Sequence, residues 1–272
     1  ESITAKELKE KLYTYASDEF EGRETGTKGQ KMAIEYLKNT YTNLGISAAK
    51  ANENYFQNVP LIALSAPEVS ITLDGNQYNY YTDFISLNHA ESKTINANEV
   101  VVVGYGIKDK LYNDYEGIDV KGKIVVAIGG EPKDGSNKFR VSGTEKKSKW
   151  SNGSQGMRSK RDVAKDLGAK AFFLIDQSLF QSYAPYYKAR DKRSGESNLV
   201  LDVKEQSMYS FLISEAMGAV LLKSSAIKID FEQGSSPIIS ENVAAMIIGS
   251  EKPDEYIIIS AHLDHVGMHD GE

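Results

Sequence analysis

The 272 residues suffice for two ordinary domains, and 40% hydrophobic with 26% charged residues is a folded composition, which excludes a disordered chain. A net charge of -6 excludes general electrostatic attraction to nucleic acid, so we expect no nucleic-acid partner. No apolar run approaches the roughly 18 residues of a membrane span. Because cysteine is absent, any metal site must use His, Asp or Glu.

The first 64 residues are predicted to contain two helices and a strand. Thr4 and Glu7 form a capping box that starts the first helix, whose apolar face holds Leu8, Leu12 and Tyr15. The second helix starts at Thr27, with Gln30 as its capping-box partner, and ends at Gly45. Its apolar positions are Ala33, Leu37, Tyr41 and Leu44, and a strand follows at 56–64.

Residues 65–237 are predicted to form a compact, β-rich unit with about two helices. Asp74-Gly75 predicts a hairpin turn, and the stretch 138–161 is polar enough to predict a long loop. Helices are predicted at 161–167 and 205–217. Strands are predicted at 69–73, 78–81, 100–103, 123–128, 171–175 and 227–231.

After a predicted linker at 234–237, strands are expected again at 242–248 and 256–260. The chain therefore reads as one domain, residues 1–64 and 238–272, interrupted by another at 65–237. The overall class is α/β.

Three of the four histidines, His262, His265 and His269, stand in the last eleven residues. If 256–260 is a buried strand, His262 emerges at its carboxyl end, where ligands gather in open α/β sheets. Strand alternation would then turn His262 and Asp264 to the same face. A neutral imidazole binds metal through one nitrogen while a carboxylate accepts the proton of the other. The spacing suits a metal ligand with its orienting carboxylate, and it suits an ordinary hydrogen-bonded pair equally well.

A catalytic zinc needs about three protein ligands, and the tail offers His265, His269, Asp270 and Glu272 as further donors. Consecutive tail residues point in alternating directions, and nothing local holds them in place. We therefore expect the remaining ligands downstream of Glu272.

Three motifs resemble a known enzyme family. Residues 257–267, ending in the metal motif around His262, resemble the first metal motif of the dizinc aminopeptidase family, the leucyl-aminopeptidase-like zinc exopeptidases. Residues 17–29 resemble the amino-terminal signature of the variety with an inserted protease-associated domain. Residues 103–106 with 115–125 resemble the opening of that inserted domain. The motifs occur in the right order, and the resemblance covers essentially the whole chain.

The resemblance implies an incomplete three-layer α/β/α zinc-exopeptidase domain with an inserted β-rich, protease-associated-like domain at 65–237. It implies two zinc ions, with His262 as a ligand of one and Asp264 as the carboxylate that orients it. The general base and the other ligands would lie downstream of Glu272, so this chain alone is expected to be inactive.

The implied activity is hydrolysis of amino-terminal residues from peptides, so the expected partner is a peptide substrate. Since the chain begins at Glu1 without Met, either a signal peptide or another upstream part is expected to have been removed, and the sequence does not separate the two. The location expected for this protein is periplasmic or secreted.

Two alternatives stay open. One is a non-catalytic module that binds peptide or protein, and the other is a carboxypeptidase-like or glutaminyl-cyclase-like relative. Strands without their later neighbours would leave open edges, so a homo-oligomer or an exchange of elements between copies is a further hypothesis.

Other residues receive a simpler interpretation. The stretch 138–161 holds eight Lys or Arg against Glu145, with Trp150 among them, and could bind an anion or acidic peptide, although a solvated loop is favoured. Arg23 is expected to brace its turn, against Asp18 or Glu21, more than to shape a site rim. His89 is expected at the surface. A tyrosine cluster is expected to cap the core rather than line a groove; its members are Tyr183, Tyr186 and Tyr187.

Overall fold

The structure is a computed structural model that describes residues 3–50, 54–88, 90–192, 198–202 and 208–268. His89, His269, Asp270 and Glu272, named above, lie outside these ranges. The protein is α/β, as predicted, and its internal contacts divide it into two compact units. The first comprises Glu1–Ala63, Leu199–Asp202 and Ser236–Glu272, and the second comprises Leu64–Asn198 and Val203–Ser235.

Five α-helices lie in the described ranges: α1 (Ala5–Tyr15), α2 (Lys28–Asn43), α3 (Gly153–Asp166), α4 (Gln177–Lys192) and α5 (Glu215–Leu221). Short 3-10 helices span Asp18–Arg23 and Lys149–Ser151. The strands are β1 (Ser47–Ala48), β2 (Phe56–Leu64), β3 (Glu68–Leu73), β4 (Asn76–Tyr78), β5 (Phe84–Ser86), β6 (Lys93–Ala97), β7 (Val101–Val102), β8 (Ile124–Ile128), β9 (Ala171–Ile175), β10 (Asn198–Leu201), β11 (Tyr209–Ile213), β12 (Ile227–Glu232), β13 (Ser235–Val243) and β14 (Ala245–Met246).

The two amino-terminal helices begin where the capping residues predict. Thr4 and Glu7 form the complete capping box of α1. Thr27 accepts a hydrogen bond from the Gln30 backbone, but the Gln30 side chain turns away to the Gly26 amide and the Ser240 hydroxyl. The predicted apolar face of α1 is wrong, because Leu8 and Leu12 are exposed among the described residues.

The first unit contains two small sheets. One has the strand order β10-β2-β13, and the other pairs β1 with β14 antiparallel. The linker predicted at 234–237 is wrong, since β13 begins at Ser235. The strand predicted at 242–248 is instead divided between the end of β13 and the two-residue β14.

The second unit is built on a five-stranded sheet of order β5-β11-β9-β8-β7. Strands β7, β8, β9 and β11 are parallel, and β5 is antiparallel at one edge. Each parallel connection moves one strand further in the same direction. Because such crossovers are right-handed, the connecting helices α3 and α4 lie on the same face of the sheet.

Side-chain alternation along these strands divides the second unit's core in two. On β8, Ile124 and Val126 pack with an antiparallel sheet of order β4-β3-β12-β6, while Val125 and Ala127 pack with α3 and α4. The β3–β4 hairpin turns at Asp74-Gly75 as predicted. The parallel sheet is therefore covered on both faces, which explains why its strands are continuous apolar runs.

Four predictions in the second unit need correction, one of them the strand predicted at 78–81, since β4 spans Asn76–Tyr78 and Tyr81 lies in a turn. The helix predicted at 205–217 is wrong: residues 203–207 lie outside the described ranges, and the rest forms the fully buried strand β11 followed by α5. Helix α4 is absent from the prediction. Helix α3 begins at Gly153, inside the stretch 138–161 that was predicted as loop.

The strand predicted at 256–260 is also wrong. Ile257, Ile258 and Ile259 are 95%, 86% and 94% exposed and pair with no strand of the described chain. An all-apolar run is a strand only when neighbours cover it on both faces, and none of the described residues does so here. No described helix is both long enough and apolar enough to cross a bilayer.

Candidate metal-binding site

The site predicted around His262 is formed by two segments of the first unit that are far apart in sequence. One is the turn-rich segment 17–27 between α1 and α2, and the other is residues 262–268. The motifs at 17–29 and 257–267 include these two segments separately, and the structure brings the segments into direct contact.

The 17–27 segment has an unusual backbone. Glu21, Gly22 and Arg23 have φ values of 47°, 62° and 55°, in the left-handed region. Non-glycine residues in this region cost roughly 1–2 kcal/mol each and persist where the surroundings enforce them. Hydrogen bonds to Tyr15 and to residues 262–268 provide those surroundings.

Two backbone hydrogen bonds dock residues 262–268 on this turn. The His265 amide donates to the Arg23 carbonyl at 3.0 Å, and the Gly267 amide donates to the Gly22 carbonyl at 3.2 Å. The approach is so close that a Cβ on Gly22 would lie 2.3 Å from the Gly267 carbonyl oxygen. Glycine at position 22 is therefore required by contact as well as by its positive φ.

Arg23 joins the two segments. Its Nη1 donates to the Tyr15 carbonyl at 2.7 Å, its Nε donates to the Leu263 carbonyl at 3.3 Å, and its guanidinium lies over the Tyr15 ring. The Tyr15 hydroxyl donates to the same Leu263 carbonyl at 3.0 Å. Burial raises the pKa of Tyr15, so the hydroxyl keeps the proton that it donates. Asp18 and Glu21 were the partners expected for Arg23. The structure instead shows it bound to the carbonyls of Tyr15 and Leu263.

Asp264 is held in place by a second residue of the turn. The Thr25 hydroxyl donates to Asp264 Oδ2 at 3.0 Å. The other carboxylate oxygen, Oδ1, lies 3.8 Å from His262 Nδ1, which is beyond hydrogen-bonding distance.

His262 itself is oriented by a backbone group. Its Nδ1 lies 2.9 Å from the carbonyl oxygen of Asp264, and the side chain is 80% exposed. A carbonyl only accepts, so this contact favours the tautomer with the proton on Nδ1 and a lone pair on Nε2. That is the state in which a histidine binds a metal while a carbonyl holds its other nitrogen. The carbonyl, not the carboxylate, makes the contact that was predicted for Asp264.

The described residues do not provide a complete zinc centre. None of them form a group of three or more His, Asp or Glu side chains positioned to hold a metal ion. His265 is engaged through its backbone amide, and its ring makes no contact with His262 or Asp264 that the described structure records. One oriented imidazole fits a single ligand position, whereas zinc needs three or four ligands.

The contributions of Tyr15 and Thr25 were missed from the sequence. Their signal was weak but present, because Tyr15 precedes the turn segment 17–27 and Thr25 lies within it, and the two glycines of that segment, Gly22 and Gly26, indicate a constrained loop. What no local pattern shows is that the partner of this loop lies about 240 residues away.

Comparisons with known proteins give limited similarity. No protein-family model and no curated protein matches the sequence. Among solved structures, the zinc aminopeptidase BSAP from Bacillus subtilis aligns with 92% of this chain and 48% of its own, at 13% identity and a TM-score of 0.36. A second structure of that enzyme aligns at 12% identity and the same TM-score, covering 89% and 48%.

A more distant similarity is to the subtilisin-like protease Apa1 from the Antarctic Pseudoalteromonas sp. AS-11. It has 11% identity and a TM-score of 0.31, with 65% of this chain and 36% of that chain covered. The chain thus spans about half the length of the aminopeptidase structures. Similarity of this degree identifies neither a family nor an activity.

Proposed function

We propose that this chain is part of a zinc-dependent exopeptidase that removes amino-terminal residues from peptides, with His262 as one zinc ligand. The observation that carries the proposal is the 2.9 Å contact between His262 Nδ1 and the Asp264 carbonyl, which leaves Nε2 for a metal on an exposed ring. The three sequence motifs support the proposal as well. The proposal also includes an extracytoplasmic location and a peptide substrate as the partner.

In metal-assisted hydrolysis, a bound ion polarises the scissile carbonyl and activates a water molecule. A single imidazole cannot hold an ion for that purpose, so the proposal includes further ligands and a general base from outside the described residues. Within this chain, Arg23, Tyr15 and Thr25 act as positioning residues, since they hold the backbone and carboxylate next to His262.

Zinc titration of the 272-residue chain tests the ligand assignment directly. We expect binding weaker than micromolar by calorimetry, abolished in His262→Ala and kept in His265→Ala. His265 is the matched control because it lies on the same segment and has an exposed side chain. Binding that survives His262→Ala but is lost in His265→Ala would overturn the assignment.

The activity is tested on the protein as its gene encodes it in full, with chromogenic amino-acid anilides as substrates. We expect about two zinc ions per molecule and release of amino-terminal residues, with kcat/KM lowered at least about 100-fold in His262→Ala. Hydrolysis of carboxy-terminal residues only would instead assign the carboxypeptidase-like alternative. Cyclisation of amino-terminal glutamine would assign the glutaminyl-cyclase-like alternative.

A second candidate is a non-catalytic binding module. It is favoured by the absence of a ligand set among the described residues. A full-length protein that binds no zinc and cleaves no peptide, but binds a peptide without cleaving it, would favour this module over the exopeptidase.

A further inference from the structure

The second unit has a cavity at the carboxyl edge of its parallel sheet, far in sequence from the His262 site. Its volume is about 490 Å³, within the range of roughly 300–1,000 Å³ typical of small-molecule sites. Strands β8 and β9 end beside it, at Ile128 and Ile175, and this edge is where ligands bind in open α/β sheets.

The wall that follows β8 is held by a buried carboxylate. Glu131 is only 7% exposed and accepts three hydrogen bonds, from the Ser148 amide, the Ser148 hydroxyl and the Ser151 hydroxyl. Trp150 Nε1 donates to Asp109 at 2.9 Å, which fixes the indole in the same wall. These bonds give the long loop after β8 a single shape.

The floor is held by a buried cation. Lys160 is 1% exposed, and its ammonium group donates to the carbonyls of Ile128, at 2.9 Å, and Gly130. Glu131 and Lys160 thus spend their hydrogen-bonding capacity on the protein itself. The cavity is a built feature that precedes any ligand.

Two charged groups of the lining remain open to a ligand. Lys147 is exposed, and no bond of its ammonium group is recorded in the described structure. Asp176 uses Oδ1 to accept from the Leu179 amide in the first turn of α4, while Oδ2 packs beside Gly129 and has no donor recorded in the described structure. A third group, Lys133, is partly engaged with Asn137 and the Phe139 ring.

The rest of the lining is largely apolar. Carbon surface comes from Phe139, Trp150, Met157, Leu174 and Leu179. A ligand that uses all three kinds of surface carries a carboxylate, an ammonium group and an apolar side chain.

We propose that this cavity binds a zwitterionic amino acid with an apolar side chain, free or as a very short peptide. Its carboxylate pairs with Lys147, its ammonium group pairs with Asp176 Oδ2, and its side chain packs on Trp150 and Phe139. The site is independent of the proposed zinc chemistry, because it lies wholly in the second unit and requires no metal.

The chain carries its own reporter for this site. Trp150 is its one tryptophan, so intrinsic indole fluorescence observes the cavity wall. We expect leucine to change this fluorescence saturably at millimolar or lower concentration. N-acetylleucine, which lacks the ammonium group, and leucinamide, which lacks the carboxylate, should each bind at least tenfold more weakly.

Two variants assign the charged ends. Lys147→Met should weaken leucine binding at least tenfold but leave leucinamide unchanged. Asp176→Asn, which keeps an oxygen to cap α4, should weaken leucine to the level of N-acetylleucine. Lys188→Met is the matched control, since Lys188 is an exposed lysine on α4 that does not line the cavity, and leucine should bind it normally.

The proposal is overturned if neither leucine nor phenylalanine gives a saturable response while circular dichroism shows a folded chain. It is also overturned if inorganic phosphate binds more tightly than leucine, which would mean a simple anion site. Equal binding of leucine, N-acetylleucine and leucinamide would reduce the cavity to an apolar cleft and contradict the assignment of both charges.

Discussion

Lys160 is a cationic side chain that the second unit buries almost completely, with 1% exposed. Burial lowers the pKa of its ammonium group from 10.5 to about 8, while nearby Asp114, Asp176 and Glu131 only partly oppose that shift. Such a shift corresponds to roughly 3 kcal/mol of destabilisation of the charged form relative to the unfolded chain. Two carbonyls accept hydrogen bonds from the ammonium group, whose burial lowers stability but defines the floor of the cavity.

The pH dependence of stability follows from this shift. In the unfolded chain Lys160 keeps its proton up to its ordinary pKa, whereas the folded protein releases it near pH 8. The unfolded state therefore binds more protons between about pH 8 and 10.5, and the free energy of unfolding rises with pH in that window, by up to about 1.4 kcal/mol per unit.

We expect the free-energy difference between the wild type and Lys160→Met to shift in favour of the wild type across this window, measured by urea denaturation at several pH values. The Lys188→Met variant changes an exposed lysine on α4, so its free energy of unfolding should follow the same pH dependence as that of the wild type. A wild-type-minus-Lys160→Met difference that stays flat between pH 8 and 10.5 would contradict the buried, depressed lysine.

At the scale of elements, the contact between the 17–27 turn and residues 262–268 depends on the absence of a side chain. Gly22 and Gly45 have nearly the same φ, 62° and 69°, but only Gly22 faces another backbone within 4 Å. Comparing alanine substitutions at these two positions therefore distinguishes the cost of a positive φ from the cost of a steric clash.

Gly22→Ala should undock residues 262–268, because the added methyl group meets the Gly267 carbonyl. We expect the His265 and Gly267 amides to exchange with deuterium about tenfold faster or more. In Gly45→Ala, with the same backbone strain and open space around it, these amides should keep their protection. Loss of protection in both variants would show that the φ strain alone releases the segment.

The docking of residues 262–268 should also affect the affinity of the chain for zinc. Because Gly22→Ala leaves His262 in the chain but removes its support, zinc binding should weaken in this variant without any ligand being changed. Calorimetry that shows equal affinity in Gly22→Ala and wild type would mean that the docking of 262–268 does not position His262.

On the scale of the whole molecule, the exposed run Ile257–Ile259 is a feature that favours association with another chain. Three successive isoleucines, each at least 86% exposed and without a partner strand among the described residues, are a template for pairing with another chain. This supports the hypothesis of self-association.

We expect the apparent mass from light scattering to rise with protein concentration, and a double variant, Ile257→Asp with Ile259→Asp, to remove most of that rise. Leu111→Asp changes a single apolar residue that is 72% exposed elsewhere, so it should leave the association unchanged. A wild-type chain that stays monomeric at high concentration would refute the hypothesis of an oligomer or an exchange of elements.

Several features were predictable because their determinants are adjacent in sequence. The Thr4–Glu7 capping box and the Asp74-Gly75 hairpin turn each depend on atoms within a few residues, and both are confirmed. Strand β9 is confirmed at its predicted position because it is an apolar segment of strand length between turn signals, and β2 is confirmed as a strand over Phe56–Leu64. The α/β class follows from such elements.

Tertiary structure alone decided the rest, because an apolar run does not state what will cover it. Residues 209–213 became a strand rather than a helix since β5 and β9 lie on either side, whereas Ile257–Ile259 found no such neighbours in the described chain. Arg23 binds a carbonyl 240 residues away instead of an acid in its own turn. The cavity beside Trp150 likewise exists only where loops from separate strands meet, which no local pattern encodes.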